Sequence, residues 1–387
     1  MAWEWKTLDQ LGSVSRGRSK HRPRDDESLY GGIYPFIQTA DVKRSNFYIT
    51  EYSQTYNERG LAQSKLWRAG TLCFTIAANI ADSAILGIDA CFPDSIMGFI
   101  PYEGVSDVRF VKYCFDVLQQ QCKQISQGAT QDNLSWEKLS TIKFPAPDYK
   151  TQQKIADILS AYDNLIENNQ KQIKLLEEAA QRLYKQWFID LRYPGHETTK
   201  IVDGLPEGWR KEKLVDLATV QFGYAFDGSL FNSNGNGTPI IRIRNIPDGF
   251  TNDYTTENAP EEYIINNGDI VVGMDGEFHI NSWSGETSYL VQRSCCFKPH
   301  NPKIKGWLLW AIHDPIKFFE KTVVGATVAH LGKKHIDTIE LLMGPENLYK
   351  PFQDYFNKRQ LLLNQNRKLA ESRNRLLPKL MNGEMEV

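Results

Sequence analysis

Gln127-Gly128-Ala129-Thr130-Gln131-Asp132-Asn133-Leu134 returns in the second half of the chain as Val324-Gly325-Ala326-Thr327-Val328-Ala329-His330-Leu331, and each copy leads into a proline-marked segment. Other matches keep the same order. Trp5 recurs as Trp209, Tyr34-Pro35-Phe36-Ile37 as Thr238-Pro239-Ile240-Ile241, Gly70-Thr71-Leu72 as Gly268-Asp269-Ile270, and Ile142 as Ile339. The period far exceeds that of solenoid or propeller repeats, so each copy is long enough to be a domain.

Up to about Asp148, short β-rich runs (Tyr34 to Gln38, Gly70 to Ala77, Ser95 to Ile100) alternate with polar turns, and the apolar spacing turns helical over Val111 to Ser126. The second copy repeats the plan, with strands near Pro239 to Arg244 and Asp269 to Gly273 and helices near Trp307 to Ile312 and Pro315 to Val323. Each copy exits through prolines, Phe144-Pro145-Ala146-Pro147 or Met343-Gly344-Pro345, into a long helical segment. In the first segment Ile155, Leu159, Tyr162, Ile166, Asn169, Ile173, Leu176, Ala180, Leu183 and Trp187 alternate at four and three, the period of a coiled-coil seam. The second runs from about Tyr349 to Leu377, where Pro378 is expected to end or kink it, and Arg359 and Arg373 intrude at seam-equivalent positions.

Asn169 and Asn366 occupy equivalent places in the two helices. In an antiparallel pair they would meet near the pseudo-twofold axis and set register; the bland alternative is a solvated asparagine on each helix. The aromatic run Trp187-Phe188 to Tyr193-Pro194-Gly195 closes the first helix and is a candidate docking patch. The domain plan is therefore 1–149, a spacer helix over 150–196, a second domain over 197–345 and a second spacer helix over 346–387.

Lys and Arg number 45 against 47 Asp and Glu, so the chain as a whole exerts little pull on nucleic acid or anionic membrane. Any nucleic-acid surface must be local. No secretory leader or bilayer-length apolar run is evident, which reads as cytoplasmic with no membrane partner. The six cysteines form no CxxC pair, which reads as buried thiols and no metal. Catalytic motifs are equally absent: there is no GxxxxGK[ST] loop and no HExxH. Asp314-Pro315-Ile316-Lys317 also lacks the second proline and the aromatic of a DNA amino-methyltransferase motif. The expectation is a non-catalytic chain.

Recognition remains. Arg16, Arg18, Lys20 and Arg22 alternate in a Gly/Ser/Pro-containing stretch and suit phosphates or a groove, unless Asp25, Asp26 and Glu27 merely neutralise them. Gln127 and Asn133 flank the first Gly-Ala-Thr, Arg242, Arg244 and Asn245 follow a strand in the second domain, and Lys333 follows the second Gly-Ala-Thr. Arg and Asn suit base edges, and Lys suits phosphate.

Two divergent domains alternating with two similar long helices resemble the specificity subunit of type I restriction-modification systems. Gly128-Ala129-Thr130 and Gly325-Ala326-Thr327, the exit into Gln152-Gln153-Lys154-Ile155, and Trp187-Phe188-Ile189-Asp190 with Pro194-Gly195-His196 carry the likeness. It implies an α/β (α+β) two-domain chain: two target-recognition domains with mixed twisted sheets, separated by two long helices in an antiparallel coiled coil, with a pseudo-twofold internal repeat. It further implies that each domain reads half of a bipartite target in double-stranded DNA. Two modification (methyltransferase) subunits and restriction/translocase subunits would be the partners, holding S-adenosylmethionine, ATP and Mg, with no cofactor on this chain. A rod of roughly 60 Å from Thr151 to Asp190 would separate the half-sites. The alternatives are the specificity chain of a fused restriction-modification enzyme, or a coiled-coil scaffold that binds proteins rather than DNA.

Overall fold

A computed structural model describes residues 3–76, 82–125, 136–322 and 329–387, with backbone alone at 120–125. Both Gly-Ala-Thr segments, with Gln127 and Asn133, lie outside the described residues. The chain divides into two compact units, residues 1–167 with 369–387, and residues 168–368.

In the first unit a five-stranded sheet runs in the order Gly12–Arg16, Ile96–Pro101, Leu72–Thr75, Ser83–Leu86, Tyr48–Ile49. A second sheet orders Gln54–Tyr56, Tyr30–Phe36, Ala90–Cys91 and Leu66–Trp67, with Phe36 paired parallel to Cys91. Glu4–Thr7 pairs antiparallel with Lys143–Ala146. The helix Val108–Ile125 buries Phe110, Val111, Cys114 and Phe115, one helical stripe, against the five-stranded sheet, where Phe115 stacks on Phe74 at 4.8 Å.

The second unit repeats this topology over four strands of each sheet, Tyr48–Ile49 being an extra edge strand in the first unit and Phe231–Asn232 in the second. Ala218–Phe222, Ser294–Pro299, Ile270–Gly273 and Ile280–Ser282 form the first sheet. Phe231–Asn232, Tyr254–Thr255, Thr238–Ile241, Ser288–Leu290 and Ile264–Ile265 form the second, again with its parallel pair, Thr238–Ile241 with Ser288–Leu290. Arg210–Lys213 pairs with Glu340–Met343 as Glu4–Thr7 does with Lys143–Ala146. Mixed sheets and a duplicated plan match the expectation. One strand is shorter than expected: Thr238–Ile241 ends before Arg242, and Ile243–Asn245 forms a 3-10 turn.

The central helix spans Tyr149–Tyr184, followed by a π-helical turn over Lys185–Ile189. Asp148 starts it by accepting the Thr151 N–H at 3.1 Å and the Thr151 hydroxyl at 2.6 Å. The C-terminal helix spans Lys350–Met381 and runs through Pro378 instead of ending at Leu377. Proline sacrifices one backbone bond, but it stands in the last turn, and Leu380 and Met381 beyond it are buried in the first unit's core. The aromatic run after the central helix is not an exposed patch: Phe188 and Tyr193 are buried against Trp209, at 5.2 and 4.7 Å between ring centroids.

Within each unit the two helices pair antiparallel. In the first, Ile155, Ala156 and Leu159 share a core with Leu377, Leu380 and Met381. In the second, Asn169 donates to Asn366 at 2.9 Å, and further along the central helix Tyr184 packs edge-on against Phe352. The two arginines that break the apolar seam are matched inside the chain. Arg373 bonds Asp163, which also accepts the Tyr113 hydroxyl at 2.5 Å. Arg359 bonds Glu177 (2.6 Å), Ser282 (2.7 Å) and Asn281 (2.7 Å). Each junction joins both helices to the sheet domain of its own unit.

Removing one partner of a buried charged group strands the others. Arg359→Met should destabilise the second unit by about 3 kcal/mol, the low end of the usual range, because the Glu177 side chain is 32% exposed. Leu361→Ala on the same helix, 57% exposed, should stay within about 0.5 kcal/mol. Urea denaturation of the two variants checks both.

Candidate nucleic-acid interface

The basic stretch of the first unit leaves the strand Gly12–Arg16 and is pinned from three sides. The Arg18 N–H bonds the Phe92 carbonyl (3.0 Å) and the Arg18 carbonyl accepts the Ser64 hydroxyl (2.7 Å). Gln63 accepts the N–H groups of Lys20 (2.6 Å) and His21 (3.0 Å). Gly17 is required here, since a Cβ would stand 2.2 Å from the Pro93 carbonyl oxygen; Gly223, its counterpart, faces Val291 in the same way at 2.1 Å. The backbone is thus held while Arg16, Arg18 and Lys20 stay exposed, with no ion pair among the described residues.

Neutralisation comes only partly from the expected acids. Asp26 bonds His21 (2.7 Å), and Ser28 first, then His21, hold its carboxyl below the ordinary range. Arg24 pairs with Asp94 at 2.6 Å, and Arg22, 3.8 Å from the same carboxylate, also bonds the Ser19 and His21 carbonyls, each at 2.7 Å. Asp94 lies far along the chain on the loop before Ile96–Pro101, so no local pattern announces it.

In the second unit Arg242, Arg244 and Asn245 come together in one turn, but with unequal freedom. Arg244 grips Asp253 through two nitrogens (2.6 and 3.1 Å). Asn245 accepts the Arg242 N–H (2.9 Å) and donates to Asp253 (3.2 Å). The Arg242 guanidinium lies over the Phe231 ring at 5.4 Å and makes no ion pair among the described residues. Lys333 is exposed at the start of the short helix Lys333–Ile336, three residues after His330, which Asp275 holds. That carboxylate binds Arg293 and His330, the latter at 2.5 Å, and Leu331 donates to the Met274 carbonyl at 2.7 Å. Burial raises the Asp275 pKa, but the bonds from Arg293 and His330 outweigh it and hold the carboxyl below the ordinary range.

Among the described residues no group of His, Cys, Asp or Glu could hold a metal, and no helix is long and apolar enough to cross a membrane. Cys73, Cys91, Cys114, Cys295 and Cys296 are buried free thiols. Burial pushes Cys73, Cys114, Cys295 and Cys296 well above an ordinary thiol pKa.

Residues 2–178 and 206–345 match the family described as type I restriction modification DNA specificity domain. The type I restriction enzyme MjaIX specificity subunit of Methanocaldococcus jannaschii is 26% identical over 417 residues, which cover 100% of this chain and 94% of that protein. The HindI specificity subunit of Haemophilus influenzae is 23% identical over 465 residues, covering 99% of this chain and 100% of its own. In fold, the chain resembles the crystal structure of the type I restriction-modification S subunit from M. genitalium, with a TM-score of 0.55 at 16% identity, covering 99% of this chain and 96% of that one.

The Asp275 clamp carries a pH signature. Its folded pKa is depressed, so its contribution is present above the unfolded value of about 3.9 and is lost as pH falls through the folded value. Hydrogen exchange at the Leu331 amide should keep its protection from neutral pH down to about pH 5 and lose it only in stronger acid. Asp275→Asn should weaken that protection already at neutral pH.

Proposed function

The chain belongs to the type I restriction-modification DNA specificity family, and we propose that it is the sequence-reading subunit of its complex, each sheet domain taking one half of a bipartite target. The observation that carries this reading is a scaffold built twice, with four strands of each sheet in the same order and the same glycine-clamped turns, while the exposed residues at those turns differ. A protein that reads two unlike half-sites requires that combination. In this reading Arg16, Arg18, Lys20 and Lys333 meet phosphates, which position the protein without reading sequence. Arg22, Arg244 and Asn245, engaged within the chain, shape the surface, and Arg242 reads a base edge. Gln127 and Asn133 belong to the same proposed surface.

The helices act as a ruler. The central helix has 36 residues, about 54 Å, more than one turn of duplex at about 34–36 Å. Asp163 and Glu177, like Arg359 and Arg373, are two heptads apart in sequence, so both junctions fall on one phase of the heptad pattern. Asn169 and Asn366 meet between them in sequence and would fix the pairing register. Two modification subunits would supply S-adenosylmethionine and methylate adenine, and restriction subunits would supply ATP- and Mg-dependent translocation and cleavage. The chain would act in the cytoplasm and would contribute no catalytic group.

Inserting one heptad into both helices between the junctions should lengthen the gap of the methylated motif by about three base pairs, from about 10 Å of added helix, with both half-sites unchanged. Altered half-site bases at the original gap would contradict the ruler. Replacing Asn169 and Asn366 together by leucine should raise the melting temperature while the modified sites lose their single gap length. An unchanged melting temperature with an unchanged gap would remove the register role.

A further inference from the structure

In both units this strand, Tyr30–Phe36 or Thr238–Ile241, leads through a capping residue into a helical turn, the α-helix Thr39–Arg44 or the 3-10 helix Ile243–Asn245. The sequences align residue by residue, Pro35-Phe36-Ile37-Gln38-Thr39-Ala40-Asp41 with Pro239-Ile240-Ile241-Arg242-Ile243-Arg244-Asn245. In each, the residue three places on caps the turn: Asp41 accepts the Gln38 N–H at 2.8 Å, and Asn245 accepts the Arg242 N–H at 2.9 Å. The neighbouring strand agrees as well. Phe36 pairs with Gln54, and the Ile240 N–H bonds the Asp253 carbonyl at 2.9 Å, so Gln54 and Asp253 occupy the same place beside the turn.

The capping positions carry similar side chains, and the position they hold does not. Asp41 is 2% exposed and is fixed by Arg44 and by the Ser53 hydroxyl at 3.3 Å, which makes the first turn a built support. Gln38 lines an open groove of about 680 Å³ together with Ser19, Arg24, Tyr30, Thr39 and Gln54. One of its N–H groups goes to Gln54 at 2.6 Å, which orients the carboxamide; a second N–H and a carbonyl remain part of its inventory. Arg242 at the matching place is the arginine of its turn that no carboxylate holds among the described residues.

We infer that Gln38 and Arg242 are equivalent base-reading residues, Gln38 directed to an adenine edge in the first half-site and Arg242 to a guanine edge in the second. The chemistry follows from the two heads. A carboxamide donates to N7 and accepts from the N6 amino group of adenine, whereas a guanidinium donates twice to O6 and N7 of guanine. The inference rests on the reading of this chain as a specificity subunit and adds to it a position in the first domain that its basic loop did not reveal.

The test is adenine-methylation mapping in cells that express the chain with its neighbouring modification subunit, comparing wild type, Gln38→Ala, Gln38→Glu and Arg242→Ala. Gln38→Ala should lose about 10- to 100-fold of discrimination at one adenine of the first half-site and leave the second half-site intact. Gln38→Glu keeps size and shape but has no donor, so the same position should shift towards cytosine, whose amino group a carboxylate accepts. Arg242→Ala should relax one guanine of the second half-site only. A wild-type bipartite motif that Gln38→Ala and Gln38→Glu leave at full discrimination, or a loss equal at every sequence, overturns the inference alone. A wild-type complex that writes no bipartite motif overturns the underlying reading and the inference with it.

Discussion

Arg359 is buried where two helices and a sheet meet, and a buried guanidinium is tolerable only when its donors find acceptors. Glu177, Ser282 and Asn281 provide them, two helices and one domain satisfying one charge. In the first unit the buried charge is Asp163, which accepts from Arg373 and Tyr113. An apolar seam alone lets helices slide by a heptad at modest cost, whereas a slip would leave the buried Arg359, and the buried Asp163 beside Arg373, without its partner. The charge pairs therefore tie each domain to one stretch of each helix, and a ruler requires that constraint.

The large features were legible because each rests on a pattern long enough to outweigh its exceptions. The seam from Ile155 to Trp187 announced the central helix, and the ordered recurrence from Trp5/Trp209 to Ile142/Ile339 announced two copies of one domain. What the sequence hid was tertiary. Arg359 and Arg373 look like seam defects until Glu177 and Asp163 are seen beside them. Pro378 looks like a stop, yet burial of Leu380 and Met381 carries the helix one turn further. Phe188 and Tyr193 look like a sticky surface until Trp209 folds onto them.

The candidate interface was legible as a set of cations and less so as individual roles. Arg16, Arg18 and Lys20 stand out from a clamped backbone as an alternating basic loop should, but Arg22 and Arg24 meet Asp94 from a distant loop. Arg244 and Asn245 turn inward to Asp253, which separates them from Arg242 in a way that residue type alone does not. Gln38 carried no charge to draw notice. Its signal was present in the alignment of the two copies, where Pro35-Phe36-Ile37 and Pro239-Ile240-Ile241 are followed by unlike residues on a like turn.

The central claim is that this chain chooses the sites its complex modifies. The most direct measurement is genome-wide adenine-methylation mapping in cells carrying the modification subunit with and without the wild-type chain. The account predicts one new bipartite motif with a fixed gap, present only when the chain is expressed. No change in the methylated sites, with the complex shown to assemble, would contradict it.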